Sequence, residues 1–246
     1  MKNLRFTLIG VLFFAIGCVM AAESGITSAA DFLKRVRSYR GVESYAVSEG
    51  TLHYRSVDKK RAVKGRVYLA NLFTPEAVKA QLVLDGEEGY MITQKYNGEP
   101  TVVQAQNENI STGGKLGEYG LQVADLAMSF LYWDLVQELP GESVRTVFCR
   151  KFELKSPDGR ELALVYISDK YLFPVRAEFF RLNEDGNRES TRSLEVSSFR
   201  KQGDFYVVSR LVLWLDKKWR CEIIFDRTVA DYVTPDKPLN IFKTVK

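Results

Sequence analysis

His53 is the only histidine in the 246-residue chain, so acid–base or triad chemistry has one imidazole to work with. It falls in a stretch patterned as a β-strand, with no Asp, Ser or Cys at a motif spacing around it, and reads as a half-exposed strand residue. The sequence contains no Gly-x-Ser-x-Gly elbow, no Walker loop and no His-Glu-x-x-His pair. Gly113-Gly114-Lys115 lacks the remaining P-loop residues and reads as a flexible connection. Two acidic pairs, Glu87-Glu88 and Glu184-Asp185, have the composition a glycosidase or a calcium site needs. Both lie in glycine-containing turns, where solvated charge is the simpler reading. Cys149 and Cys221 sit in strand patterns and belong to no Cys-x-x-Cys motif. They are open to a disulfide in an oxidising compartment or to service as small apolar core groups. The residue types therefore point away from an enzyme, and no metal and no cofactor is expected.

What the chain has in quantity is large apolar side chains, with 12% aromatic residues. Leu126, Phe130, Trp133, Phe179, Trp214, Trp219 and Phe225 are the candidates for an apolar concave site, which would hold acyl chains without polar specificity. The same residues could instead fill an ordinary core. At about 0.8 kcal/mol per buried methylene, a twelve-carbon chain offers on the order of 10 kcal/mol before the costs of association, enough for reversible capture.

The element that would position these groups is Leu121–Trp133. Val123, Leu126, Ala127, Phe130 and Leu131 recur at helical spacing, with Asp125, Ser129 and Tyr132 as the polar stripe. A helix of that length spans roughly 18 to 20 Å, too short for a bilayer, so its cover must come from protein or from an apolar ligand. The preceding Ser111–Gly120 stretch carries four glycines and reads as a mobile loop that lets this helix move. A first helix is predicted over Ala29–Tyr39, capped by Ser28, with Phe32, Leu33 and Val36 inward, Lys34, Arg35 and Arg37 outward, and Gly41 as its stop.

Elsewhere the period is two. Strands are expected around Tyr45–Tyr54, Arg66–Phe73, Gln81–Leu84, Gly89–Gln94 and Thr101–Gln106, with turns at Val57–Arg61, Asp85-Gly86-Glu87-Glu88 and Asn97-Gly98 and at most a short helical turn at Thr74-Pro75-Glu76. After Trp133 follow Thr146–Leu154, Glu161–Ile167, Phe173–Leu182, Thr191–Phe199, Phe205–Leu215 and Lys218–Phe225, joined by connections short enough for an antiparallel meander. Trp219, Cys221, Ile223 and Phe225 alternate with Arg220, Glu222 and Asp226, giving one dry and one wet face. Phe205–Leu215 is apolar on both faces, as in a sheet bent around a helix. The expected fold is mainly β (α+β): a curved antiparallel sheet forming an unclosed half β-barrel, with helices covering the concave face.

Residues 1–21 read as a signal peptide: Lys2 and Arg5, an uncharged run Phe6–Ile16, and Val19-Met20-Ala21 before the cut. Ala15-Ile16-Gly17-Cys18 is a competing lipobox pattern, with alanine where leucine is usual, that would anchor the protein through a lipid on Cys18; a retained membrane anchor is a third alternative. Either of the first two exports the chain, and the plain cut leaves 22–246 as one domain. Losing Lys2 and Arg5 lowers the formal net charge from +4 to +2, and Lys59-Lys60-Arg61 is too short a basic run for a nucleic-acid face, so no nucleic acid is expected. The sequon Asn109-Ile110-Ser111 has no meaning under bacterial export.

Leu126–Trp133, Phe148-Cys149-Arg150-Lys151-Phe152-Glu153-Leu154, Val175-Arg176-Ala177-Glu178, Leu194–Phe199 and Trp214–Phe225 together resemble the outer-membrane lipoprotein-sorting-protein-like family (LolA-like) of Gram-negative bacteria. The resemblance covers most of the chain after the leader and implies an unclosed antiparallel β-barrel with helices over its mouth. It further implies a periplasmic, non-enzymatic, monomeric carrier or binder of lipid or acylated lipoprotein. The alternative is a sensing or interaction module of the envelope that uses the same fold to bind a protein partner. No motif match places the sorting carriers' lid-latching arginine on a residue of this chain.

Overall fold

A computed structural model describes residues 6–10, 14–18, 28–38, 41–56, 60, 62–96, 99–107, 114–183, 186–216, 218–235 and 239–245. The expected cleavage site at Val19-Met20-Ala21, most of the Val57–Arg61 turn, Asn97-Gly98, the Asn109 sequon, the start of the Ser111–Gly120 stretch and the Glu184-Asp185 pair lie outside the described residues. Near the N-terminus, β1 (Phe6–Gly10) and β2 (Phe14–Cys18) pair as a hairpin separate from the main sheet.

The main sheet is two antiparallel meanders. One is β3 (Ser44–Ser56), β4 (Ala62–Phe73), β5 (Ala77–Leu84), β6 (Glu88–Lys95) and β7 (Val102–Ala105). The other is β8 (Asp134–Val144), β9 (Val147–Lys155), β10 (Glu161–Ser168), β11 (Pro174–Leu182), β12 (Arg188–Gln202), β13 (Phe205–Leu215) and β14 (Trp219–Tyr232). They are welded where β3 pairs with β14, giving twelve strands in the order β7-β6-β5-β4-β3-β14-β13-β12-β11-β10-β9-β8. Among the described residues β7 and β8 are edges with no pairing to one another, so the sheet is not closed. Because these two edges follow one another in sequence, the chain between them must travel from one side of the sheet to the other.

The strands follow the alternation that predicts them. Asp85 and Gly86 both take positive φ, 54° and 78°, as a tight hairpin turn requires. Thr74–Glu76 is a bend, closed by bonds between Thr74 and Ala77, and not a helical turn. β8 goes unread in the sequence because it contains Pro140-Gly141. An edge strand tolerates both residues, and the register shifts between Leu135 and Gln137 and between Leu139 and Glu142 accommodate them.

α1 (Ala29–Val36) forms where expected but ends earlier. Ser28 Oγ accepts from the Asp31 amide, and Phe32, Leu33 and Val36 are its buried stripe. Leu121–Trp133 is not one helix. It is split into α3 (Val123–Leu126) and a 3-10 turn over Ser129–Tyr132, with Met128 between them in the left-handed region at φ 49°. Its apolar content reflects deep burial of its middle: Leu126, Ala127, Met128, Phe130 and Leu131 are each no more than 1% exposed. Surroundings this tight impose the backbone, and a left-handed residue costs of order 1–2 kcal/mol that a free helix would avoid. Upstream, α2 (Gly114–Glu118) occupies part of the stretch expected to be a loop. Among the described residues no helix is long and apolar enough to cross a membrane.

One large core combines residues from one face of both meanders with Phe32 and Leu33 of α1, Leu116 of α2 and most apolar residues of the split segment. The opposite face carries two smaller clusters. One is Val144, Cys149, Tyr166 and Val175. The other joins Tyr68, Ala70 and Val83 to the C-terminal residues 239–245 through Leu239, Ile241, Phe242 and Val245. That terminal strap is held by the Gln81 amide, which donates to the Lys243 carbonyl at 2.6 Å and accepts from the Lys243 amide at 2.7 Å.

Candidate functional site

The ring of Phe179 on β11 is the centre of the aromatic assembly. Phe130 meets it edge-on at 5.1 Å and Trp133 at 6.2 Å. Leu126 belongs to the same core. Four of the seven candidate residues are thus gathered where the split segment meets the second meander. On β14, Phe225 is buried in the same core, and Trp219 stacks on Tyr54 at 5.2 Å. Trp214 is the exception. Its neighbours Leu213 and Leu215 turn into the core, so strand alternation sends Trp214 to the opposite face, where it is 40% exposed beneath the Arg220 guanidinium. It cannot line a site with the other six.

Charge decides how the split segment is held. Asp125, expected on a polar stripe, is 1% exposed. Both its carboxylate oxygens accept from Arg192 Nε at 3.0 Å, while Arg192 Nη1 donates to Glu161 at 2.7 Å. The Arg192 side chain is 6% exposed, and Glu161, at 28%, is the member of the trio nearest water. The guanidinium also lies 4.0 Å over the Phe179 ring, a cation–π contact in a dry setting. Burial pushes the Asp125 carboxyl up to about 6, because desolvation, reinforced by Glu161, outweighs the pull of Arg192.

A second arginine grips the same segment. Arg37 at the end of α1 was expected to point outward. It turns in, and Nε and Nη2 donate to the carbonyls of Leu131 and Trp133 at 2.5 and 3.0 Å. The 3-10 turn leaves those carbonyls without helical partners, and a multi-donor guanidinium suits them. On β9, Arg150 pairs bidentately with Glu138 and lies 4.4 Å over Phe32, fastening α1 to the sheet.

α2 is fixed by a residue read from sequence as solvated. Glu88 is 6% exposed and accepts from the Lys115 amide at 2.6 Å, from the Leu116 amide and from the Tyr90 phenol. Tyr119, just after α2, donates to Asp85 at 2.6 Å. The latter contact needs Gly65, where a Cβ would sit 2.2 Å from the Tyr119 oxygen. His53 is a half-buried β3 residue opposite Glu222 and Lys64. Cys149 and Cys221 are buried, free thiols in different clusters.

Glu49, Arg66, Tyr68, Asp85 and Lys243 border a cavity of about 300 Å³ by the terminal strap. Val147, Tyr171, Phe173, Val175, Phe199 and Tyr206 border one of about 150 Å³. None of the seven candidate residues lines either. Around Phe179 the rings touch, so a guest there would have to take the place of the split segment. Sequence reasoning missed Asp125, Arg192, Glu161, Arg37 and Glu88. The one local signal was Asp125, the sole charge within Leu121–Trp133.

No family model matches the sequence, and no curated protein matches it. Solved structures do. A DUF1329 family protein from Desulfovibrio piger aligns with a TM-score of 0.57 at 14% identity, over 80% of this chain and 90% of its own. A putative outer membrane lipoprotein-sorting protein domain from Vibrio parahaemolyticus aligns with a TM-score of 0.58 at 11% identity, over 82% and 90%. A LolA superfamily protein from Nitrosomonas europaea aligns more loosely, with a TM-score of 0.48 at 13% identity, over 82% and 93%. This chain has a mainly β, unclosed antiparallel fold shared with the Desulfovibrio piger and Vibrio parahaemolyticus structures.

Proposed function

We propose that the chain, freed of its leader, is a non-enzymatic periplasmic carrier or binder of acyl chains, borne by a lipoprotein or by another lipid. In this reading the helices lie over the concave face of the sheet and the split segment is the part that yields. What carries the proposal is the construction of Leu121–Trp133. It is wholly apolar where it meets Phe179, yet it is broken at Met128 into two single turns. Two such turns have little internal hydrogen bonding to lose on moving. An acyl chain entering beside Phe179 replaces one apolar surface by another, and each methylene it buries contributes about 0.8 kcal/mol. The resemblance to lipoprotein-sorting domains in both sequence segments and fold supports the same reading.

Native mass spectrometry of the mature protein purified from its own envelope tests it. Bound lipid, or uptake of an acylated peptide by the emptied protein, is the expected result. Protein that is always empty and refuses acylated peptides would overturn it. The second reading is an interaction module. It is favoured by β7, an uncharged edge strand with Val102 and Val103 51% and 41% exposed, to which an extended segment of an envelope protein could add as a further strand. Stoichiometric capture of such a protein, indifferent to lipid, would favour it.

A further inference from the structure

The Asp125–Arg192–Glu161 trio is more costly than a core of this kind requires. An apolar group in place of a buried ion pair is commonly neutral or stabilising, so a retained pair calls for another use. The three groups are not equivalent in position. Arg192 and Glu161 stand on β12 and β10 and keep their mutual geometry with the sheet, whereas Asp125 belongs to the split segment. If that segment leaves, Arg192 retains Glu161 through Nη1 and loses the partner of Nε. A charged donor is then left on the apolar bed of Phe179, beside the space that Leu126 and Phe130 have vacated. A neutral guest leaves it unsatisfied, which is expensive in a dry setting. A guest with an anionic head restores the bond and the charge count of the closed state.

We propose that Arg192 is a headgroup subsite: the ligand is an amphiphile with an anionic carboxylate or phosphate head, which takes the place Asp125 holds when the protein is empty. This rests on the acyl-binding reading and specifies its ligand. Asp125 is then an internal stand-in for the head, and Phe179 is the first surface the adjoining chain meets.

The test uses the mature, delipidated protein at pH 8 and four probes with the same alkyl chain: dodecanoate, methyl dodecanoate, dodecyl phosphate and dodecanol. Binding is followed by the change in tryptophan fluorescence. The anionic probes should bind on the order of 10- to 100-fold more tightly than their neutral counterparts, the range expected of one charge-assisted bond. Arg192→Gln should bring the anions down to the level of the neutral probes. Asp125→Asn, which removes the competing carboxylate, should tighten dodecanoate. Preference for only one of the two anions also supports the subsite and identifies the head as carboxylate or phosphate. Equal binding of charged and neutral probes overturns the inference and leaves the acyl-binding reading intact. That comparison needs no variant, so it decides even if Arg192→Gln fails to fold. Binding of none of the four probes removes both.

Discussion

Replacing Asp125 by asparagine keeps the shape of the side chain and one acceptor for Arg192 while removing a buried charge. With the Asp125 carboxyl raised to about 6 in the folded protein against an unperturbed 3.8, the folded state binds this proton more tightly than the unfolded state. Its contribution to stability is therefore fully present below the unfolded value and is lost as pH rises through 6. Between pH 5 and pH 8 the loss is about 1.4 kcal/mol, and over the whole window it is about 3 kcal/mol. The other charges at this point, Arg192 on β12 and Glu161 on β10, remain in the variant. Urea unfolding of wild type and Asp125→Asn at pH 5, 6, 7 and 8 isolates the Asp125 effect. The wild type should lose about 1.4 kcal/mol relative to the variant across that range. Arg192→Met should instead destabilise the protein by about 3–5 kcal/mol at pH 7, since it leaves two carboxylates without their counter-charge. A difference between wild type and Asp125→Asn that is flat, or that grows in favour of the wild type as pH rises, would refute the account of this trio.

Phe179→Ala should cost about 3–5 kcal/mol in urea unfolding, because it empties the site against which Phe130, Trp133 and Arg192 pack. Glu88→Gln should speed hydrogen exchange at the Lys115 and Leu116 amides by an amount equivalent to about 1–3 kcal/mol, with the β-sheet amides unchanged. Gly65→Ala should destabilise by about 1–3 kcal/mol through its clash with the Tyr119 hydroxyl, and adding Tyr119→Phe should recover part of the loss. Thiol labelling at pH 8 of the protein cleaved after Ala21 should find Cys149 and Cys221 reacting only on unfolding, since burial pushes Cys149 up to about 11 and Cys221 up to about 12; a bond between them or fast native labelling would contradict their placement.

Local periodicity made the strands of both meanders and the buried stripe of α1 readable, because alternation and 3.6-residue spacing report which side of an element is dry. Trp219, Cys221, Ile223 and Phe225 were placed on one dry face by that logic, and they lie there. The same alternation on the neighbouring strand sends Trp214 outward, away from the other aromatics. β8 escaped notice because Pro140-Gly141 breaks the pattern that an edge strand can do without. The strap of residues 239–245 has no period of its own.

The sequence by itself determined a β-rich chain with one dry face, an apolar segment that needed covering, and the absence of any local catalytic motif. Only the tertiary structure decided that Leu121–Trp133 breaks at Met128, that Arg37 turns inward, and that Asp125 meets an arginine 67 residues away. The physical reason lies in range. Hydropathy patterns arise between near neighbours and survive in the linear text, whereas the partner of a buried charge is set by strand register and by which segment the sheet encloses.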